Sequence, residues 1–370
     1  MVAIVYPEFY GVGGIARYLD SFLTNIPDGT SHRPLLITGD EHRYARIYPS
    51  ADVLHLPFSL NRFNLFIWGA KVRHLLRHLH RTGRIKTVNY HWPPLIPGLF
   101  LPREIPLVLT AHTTYLGMSG KFYPARHFVS QWSDASIAIK MGMERRILAK
   151  TTHVIALTEQ GRQEVRRYDY RGPITVIPNG ADTERFRSDP TVAKDIDVLF
   201  SGRIELRKGS RPMVDLCKRL VSRRADIRIC IVGYGDDDEH VRRELSALGA
   251  NVILAGKVPF EGMIDYYNRS RVYASTSYYE GLPGTCLEAM AMQLPAVVWN
   301  FPFYAGLVVE GQTGLLAEPN DFDAMSQKIL SLLDDRALAQ EIGRRGRALL
   351  ESNYSWRQLA RDILLVLDKE

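Results

Sequence analysis

Short runs of β-branched and other apolar residues alternate with helix-periodic segments along almost the whole chain, and this alternation limits the possible folds more than any other feature. Strands are predicted at Val2–Tyr6, Pro34–Thr38, Val53–Leu56, Lys86–Tyr90, Pro106–Thr110, His153–Leu157 and Ile174–Ile177. The second half supplies Asp197–Ser201, Ile227–Val232, Val252–Ala255, Val272–Ala274 and Ala296–Val298. Strands separated by helices join their sheet in parallel, with the helices covering its faces. The pattern pauses in Pro178–Lys194, a charged loop containing Asn179-Gly180 and Pro190, and restarts as a fresh βαβ unit after Ser210. A chain of 370 residues is too long for one typical core and sufficient for two. The expectation is an α/β protein of two Rossmann-like domains, residues 1–180 and 181–353, with an amphipathic helix at about 354–370 packing back onto the first.

Composition narrows the class. The apolar share of 46% and the charged share of 24% suit a globular protein. No stretch approaches the roughly 20 apolar residues of a membrane-spanning helix. Met1-Val2-Ala3-Ile4-Val5-Tyr6 lacks the basic start and cleavage site of a signal peptide and reads as a first strand. Cys217, Cys230 and Cys286 form no CxxC and have no neighbouring histidine, which argues against a disulfide framework or zinc site and fits a reducing cytoplasm. The net charge of +7 favours anionic partners, namely nucleotide phosphates, an anionic lipid surface or nucleic acid, without choosing among them.

In the segment Leu65–Arg81, Leu65, Trp68, Val72, Leu75, Leu76 and Leu79 fall on one helical stripe. Lys71, Arg73, His74, Arg77, His78 and Arg81 fill the opposite face. That face is either a solvated surface or a contact with anionic headgroups or a charged acceptor.

Two clusters carry chemistry. In Tyr279-Glu280-Gly281-Leu282-Pro283-Gly284-Thr285, a glycine-punctuated turn leads into a helix that bears Glu288 one turn inside. The first N–H groups of a helix are free and suit a phosphate. Carboxylates on either side can only accept hydrogen bonds, so they suit hydroxyl groups, one holding a sugar and the other a ribose. In Phe200-Ser201-Gly202-Arg203 through Arg207-Lys208-Gly209, the loop leaves the carboxyl end of a strand, where open α/β sheets bind ligands. Arg203 and Lys208 there can neutralise a diphosphate, at roughly 1.5–3 kcal/mol for each charge-assisted hydrogen bond.

The order of these stretches resembles the GT4-type family of glycosyltransferases. The resemblance rests on Ser201-Gly202-Arg203 with Lys208-Gly209, Ile231-Val232-Gly233-Tyr234-Gly235, Gly256-Lys257-Val258, Glu280 to Glu288, and Thr313-Gly314-Leu315-Leu316. Ile177–Asp182 resembles the motif closing the family's first domain. The resemblance implies a GT-B architecture, two Rossmann-like domains with an inter-domain cleft. It also implies retention of anomeric configuration and no metal or other cofactor. Arg203 and Lys208 would hold the donor phosphates, Glu280 the donor sugar and Glu288 the ribose. The Gly284 and Thr285 amides would meet the distal phosphate, with Gly281 in the same turn. Lys257 and Val258 would lie against the base, and Gly233 and Tyr234 would line the nucleotide cleft. Gly11-Val12-Gly13-Gly14 resembles the family's loop facing the donor, although tight-turn glycines read the same way. His112 ends a strand where the family often places a histidine near the reacting sugar, and His91 ends another.

The sequence departs from the family at Ala305-Gly306, where a glutamate often stands. Asp236-Asp237-Asp238 mimics a metal-binding motif but reads as helix-start acid complementing the dipole. The function expected is transfer from a UDP- or GDP-linked sugar to a glycan or lipid-linked acceptor. It would take place in the cytoplasm or at the inner membrane face, with Lys71, Arg73, Arg77 and Arg81 on the lipid and no nucleic acid bound. Rival readings are a nucleotide-sugar epimerase or hydrolase of the same shape, a dehydrogenase, or a non-catalytic nucleotide-sugar binder.

Overall fold

A computed structural model describes residues 1–9, 13–28, 33–40, 48–58, 62–122 and 133–370. Among these, residues 1–122, 133–180 and 356–370 form one compact unit, and residues 181–355 form the other. The first holds a seven-stranded sheet: β1 (Val2–Val5), β2 (Leu35–Thr38), β3 (Asp52–His55), β4 (Thr87–Trp92), β5 (Leu107–Ala111), β6 (His153–Ala156) and β7 (Ile174–Val176). Its spatial order is β3-β2-β1-β4-β5-β6-β7, and every pair is parallel. The second holds β8 (Ile196–Ser201), β9 (Ile229–Val232), β10 (Val252–Gly256), β11 (Ser270–Ser275), β12 (Ala296–Trp299) and β13 (Gly314–Ala317). Their order is β10-β9-β8-β11-β12-β13, again parallel throughout.

All the strands read from sequence are present, with ends moved by no more than two residues. They are legible because a parallel sheet covered on both faces buries successive side chains, giving continuous apolar runs; β1, β4 and β9 are buried at every position. The strand β13 was not expected. Gly314-Leu315-Leu316-Ala317 has no β-branched residue, and its pairing with β12 decides its conformation. A Cβ on Gly314 would lie 2.7 Å from the Ala296 carbonyl oxygen, so this close pairing requires glycine.

Strand order reverses between β1 and β4 in one sheet and between β8 and β11 in the other. At such a point the loops leaving the carboxyl ends diverge and open a crevice. The candidate residues of the second unit sit around that point.

Helix Arg62–Arg81 buries Trp68, Val72, Leu76 and Leu79, with Leu75 partly buried, and the Trp68 indole N–H donates to the Leu56 carbonyl at 2.9 Å. Lys71, Arg73 and Arg81 are exposed, and Arg77 pairs with Glu104 at 2.5 Å. The first turns add an apolar patch that the buried stripe does not reveal, with Phe63 72% exposed and Phe66 and Ile67 each 43% exposed. Helix Trp356–Lys369 belongs to the first unit and packs against helix Gly14–Thr24 and β4. No helix among the described residues is long and apolar enough to cross a membrane.

Candidate active site

In the second unit the loops after β8 and β11 are joined before any charged group is considered. The Tyr278 amide donates to the Arg207 carbonyl at 3.0 Å, and the Thr276 hydroxyl to the Gly209 carbonyl at 2.9 Å. The Arg207 guanidinium donates to the Tyr279 carbonyl at 3.0 Å. Gly209 has φ +71°, and a Cβ there would stand 1.8 Å from the Thr276 carbonyl oxygen. Only glycine permits both the left-handed conformation and this approach.

The joined loops bring Lys208 onto Glu280, and the Lys208 ammonium donates to both carboxylate oxygens. The Ser277 hydroxyl donates to Glu280 Oε1 at 2.9 Å. Behind it Tyr304 donates to Ser275 at 3.0 Å and Ser275 to Ser277 at 3.3 Å. Burial pushes the Lys208 ammonium pKa down, while the Glu280 carboxylate pulls it back up. Glu205 accepts from Arg207 and pairs with Arg203 at 3.3 Å. The Arg203 side chain is 62% exposed against 23% for Lys208, so Arg203 can still swing toward a ligand. Arg203, Lys208, Ser277 and Glu280 line one recess of about 30 Å³ at the end of β8.

Helix Gly284–Ala291 starts directly after this turn, with Gly281 partly buried between Glu280 and Pro283. Its Thr285 hydroxyl shares a 2.9 Å hydrogen bond with Tyr273, and Glu288 accepts from the Tyr267 hydroxyl at 2.8 Å. Tyr267 also bonds Ser201 at 3.2 Å, so Glu288 is tied to the end of β8. Gly233 follows β9, donates its amide to the Gly256 carbonyl at 2.9 Å and lies so close to the Gly202 carbonyl oxygen that a Cβ would stand 1.8 Å from it. The Tyr234 ring is 46% exposed, with the Lys257 ammonium 4.9 Å from its centroid and Val258 partly buried beside it. The structure therefore gathers Arg203, Lys208, Glu280, Gly281, Gly284, Thr285 and Glu288 at the carboxyl ends of β8 and β11, and sets Gly233, Tyr234, Lys257 and Val258 at those of β9 and β10.

The remaining residues singled out from sequence lie in the first unit. Gly13 caps helix Gly14–Thr24, and a Cβ at Gly13 or Gly14 would meet no atom within 4 Å, so packing does not demand glycine there. Gly11 and Val12 lie outside the described residues. His112 follows β5, 7% exposed, with its Nε2 2.9 Å from His91 Nδ1 and the Tyr18 ring edge-on at 4.8 Å. Burial pushes its pKa down to about 3. Gly306 has φ +79°, so a glutamate in its place would be strained as well as absent. Asp237 accepts from the Ser210 hydroxyl, and Asp238 opens helix Asp238–Leu245 and pairs with Arg242 at 2.6 Å. Ser277, Tyr267, Tyr304 and Glu205 escaped sequence reasoning, because a lone hydroxyl or carboxylate has no pattern until strand order supplies its neighbour.

Two parallel-sheet units, one with cations, carboxylates and a helix start at its switch point, define an α/β glycosyltransferase of the GT-B class. Residues 182–349 match the family of glycosyl transferases group 1, and residues 12–185 match glycosyltransferase family 4. The chain belongs to the GT4-type glycosyltransferases. It is 25% identical over 239 residues to the capsular polysaccharide biosynthesis glycosyltransferase CapM of Staphylococcus aureus, an alignment covering 59% of this chain and 62% of that protein, under two thirds of its length. The sucrose-phosphate synthase of Thermosynechococcus elongatus superposes with a TM-score of 0.81 at 20% identity, over 100% of this chain and 98% of that one. Anabaena HepE in complex with UDP-glucose superposes with a TM-score of 0.76 at 16% identity, over 100% and 99%. At these identities the two structures speak for the fold alone.

Proposed function

We propose that the chain moves a sugar from a nucleoside-diphosphate sugar to a glycan or lipid-linked saccharide, with retention of anomeric configuration and without a metal ion. The Lys208–Glu280 pair at the switch point carries this reading. An ammonium has three protons; with two on Glu280 the third is left for a phosphate oxygen. Glu280 accepts from Lys208 and Ser277 and keeps lone-pair capacity for a sugar hydroxyl. Arg203 adds a second cation, and the Gly284 and Thr285 amides meet the distal phosphate. Glu288 takes the ribose, Lys257 and Val258 flank the base, and Gly233 and Tyr234 line the nucleotide. Gly13, Gly14 and His112 serve the donor sugar.

The barrier lies in expelling the diphosphate while positive charge grows on the anomeric carbon. Fixed cations and amides stabilise that departure without reorganising, and they supply the charge a metal would otherwise bring. The acceptor attacks from the face the diphosphate leaves, and the leaving phosphate takes its proton. The donor nucleotide is UDP or GDP. CapM supports a cell-surface polysaccharide product. The exposed face of helix Arg62–Arg81 supports peripheral binding to an anionic cytoplasmic membrane surface: Phe63, Phe66 and Ile67 would enter the headgroup boundary beside Lys71, Arg73, Arg77 and Arg81.

The test is a thermal-shift panel of UDP-, GDP- and ADP-sugars, followed by anomeric NMR of the product with and without EDTA. One donor should raise the melting temperature, because a ligand that binds only the folded form stabilises it. Its product should keep the donor's anomeric configuration, indifferent to EDTA. An inverted product or loss of turnover in EDTA would refute the mechanism, and no shift with any donor would refute the donor site. Vesicles of phosphatidylglycerol should sediment the protein and those of phosphatidylcholine should not; equal binding to both rules out the charged surface.

A further inference from the structure

The strands β4 and β5 pair with Asn89 opposite Val108 and His91 opposite Thr110. Side chains alternate along a strand, so Asn89 and His91 on β4 share a face with Thr110 on β5, and His112, one residue past its end, meets His91 on that face. The resulting chain of hydrogen bonds has only one consistent direction. The Asn89 amide nitrogen faces the Val108 carbonyl at 3.2 Å and Thr110 Oγ1 at 3.0 Å. A carbonyl only accepts, so this atom is the NH2 group and Asn89 Oδ1 is left as an acceptor. His91 Nε2 lies 2.7 Å from that oxygen and must donate to it. Both rings are kept neutral by burial, His91 also by the proximity of His112. A neutral His91 protonated at Nε2 has a bare Nδ1, which can only accept, and the atom 2.9 Å away is His112 Nε2. His112 Nε2 therefore carries the proton, and its Nδ1 holds a lone pair. The Tyr18 ring packs perpendicular to His112 at 4.8 Å, and its hydroxyl makes no hydrogen bond among the described residues.

We infer that Asn89 and His91 act as positioning residues that fix His112 in the Nε2-protonated tautomer, making its Nδ1 an obligate acceptor that recognises a hydroxyl and rejects a phosphate or carbonyl oxygen. The assignment of tautomer follows from this unit alone. The recognition of a sugar hydroxyl rests on the proposed transfer reaction. It means that His112 acts neither as a proton donor to the leaving group nor as an anion binder.

The experiment has two arms. Long-range proton–nitrogen correlation spectra of the full chain labelled in histidine, with His112 assigned through His112→Asn, report which ring nitrogen is protonated without any substrate. A bare Nδ1 and protonated Nε2 are expected in the unaltered protein. His91→Gln, whose amide can both donate to Asn89 and accept from His112, should keep that tautomer, whereas His91→Leu should release it to a mixture. A protonated Nδ1 in the unaltered protein overturns the inference, and identical His112 spectra for His91→Gln and His91→Leu overturn the role of His91. In the second arm, kcat/KM is measured with each monodeoxy form of the donor sugar and of the acceptor. One of them should lose about tenfold with the unaltered protein and with His91→Gln, but less with His91→Leu, the size expected for one uncharged hydrogen bond. Equal discrimination in all three proteins overturns the hydroxyl recognition. If no sugar is transferred at all, the transferase reading fails while the spectra still decide the tautomer.

Discussion

At the end of β8 the polar side chains carry charge and are held by charge: Lys208 on Glu280, Arg203 and Arg207 on Glu205. At the ends of β4 and β5 the polar side chains are neutral and are held by direction: His112 on His91, His91 on Asn89, Asn89 on Thr110. The folds are alike, two parallel sheets that reverse strand order, so architecture does not explain the contrast. The ligand proposed for each end does. A diphosphate needs cations, and buried cations need carboxylates to persist before it arrives. A sugar hydroxyl needs an acceptor with a fixed lone pair, which a neutral ring supplies if its proton is anchored elsewhere.

The hardest blow to this contrast is removal of one charge. Lys208→Ala should lower turnover on the order of 10²–10³-fold, the usual loss for one group stabilising a developing anion. It should also lower the melting temperature, because Glu280 is left buried without its partner. Lys208→Met with Glu280→Gln should regain the stability and not the turnover, as measured by melting curves alongside initial rates. Near-normal turnover in Lys208→Ala would break the comparison at its charged end.

A smaller effect separates backbone from charge. Gly209→Ala places a Cβ against the Thr276 carbonyl in a left-handed residue, a strain on the order of 1–3 kcal/mol. Hydrogen exchange should quicken in residues 201–209 and 275–281 and remain unchanged in β1 to β7, and the donor-induced thermal shift should shrink. Unchanged exchange in both loops would mean that their joining does not depend on this glycine.

A further prediction concerns a neutral hydrogen-bonded group of the first unit. Glu144, fully buried, accepts from the Tyr115 amide at 2.9 Å and bonds Tyr168, and burial raises its pKa from 4.5 to about 8. Between about pH 4.5 and 8 the folded chain keeps a proton that the unfolded chain has released. The stability from this group is thus complete below pH 4.5, declines as pH rises and is exhausted above about 8. Glu144→Gln, which imitates the protonated acid, should flatten that decline in melts taken from pH 5 to 9. An undiminished slope would show that another group is responsible.

How much of this was readable in advance depends on whether the signal lies along the chain or across it. The strands were legible because burial on both faces leaves its mark in consecutive residues, and β13 was not because its four residues take their conformation from β12. Lys208 and Glu280 could be named from sequence, since glycines and a helix start surround them. That they grip each other could not, because their contact depends on β8 lying beside β11. Tyr267, Ser277 and Tyr304 were illegible for the same reason. Asn89, His91, Thr110 and His112 show the period-two spacing of a strand, but only the register of β4 on β5 reveals that they meet. Phe63, Phe66 and Ile67 lie off the buried stripe of helix Arg62–Arg81, so the periodicity that marks its core-facing side does not mark them.

Helix Trp356–Lys369 follows the whole of the second unit along the chain, yet it completes the first, where Trp356 packs edge-on to Tyr18 at 5.1 Å. On the ribosome every strand of the six-stranded sheet emerges before this helix does. The nascent amino-terminal unit must wait with Tyr18, and the histidines behind it, uncovered. Although domains commonly fold in the order of their codons, here the later unit can close first, and a released chain that stopped short of Trp356 would hold every residue of the six-stranded unit but not of the seven-stranded one.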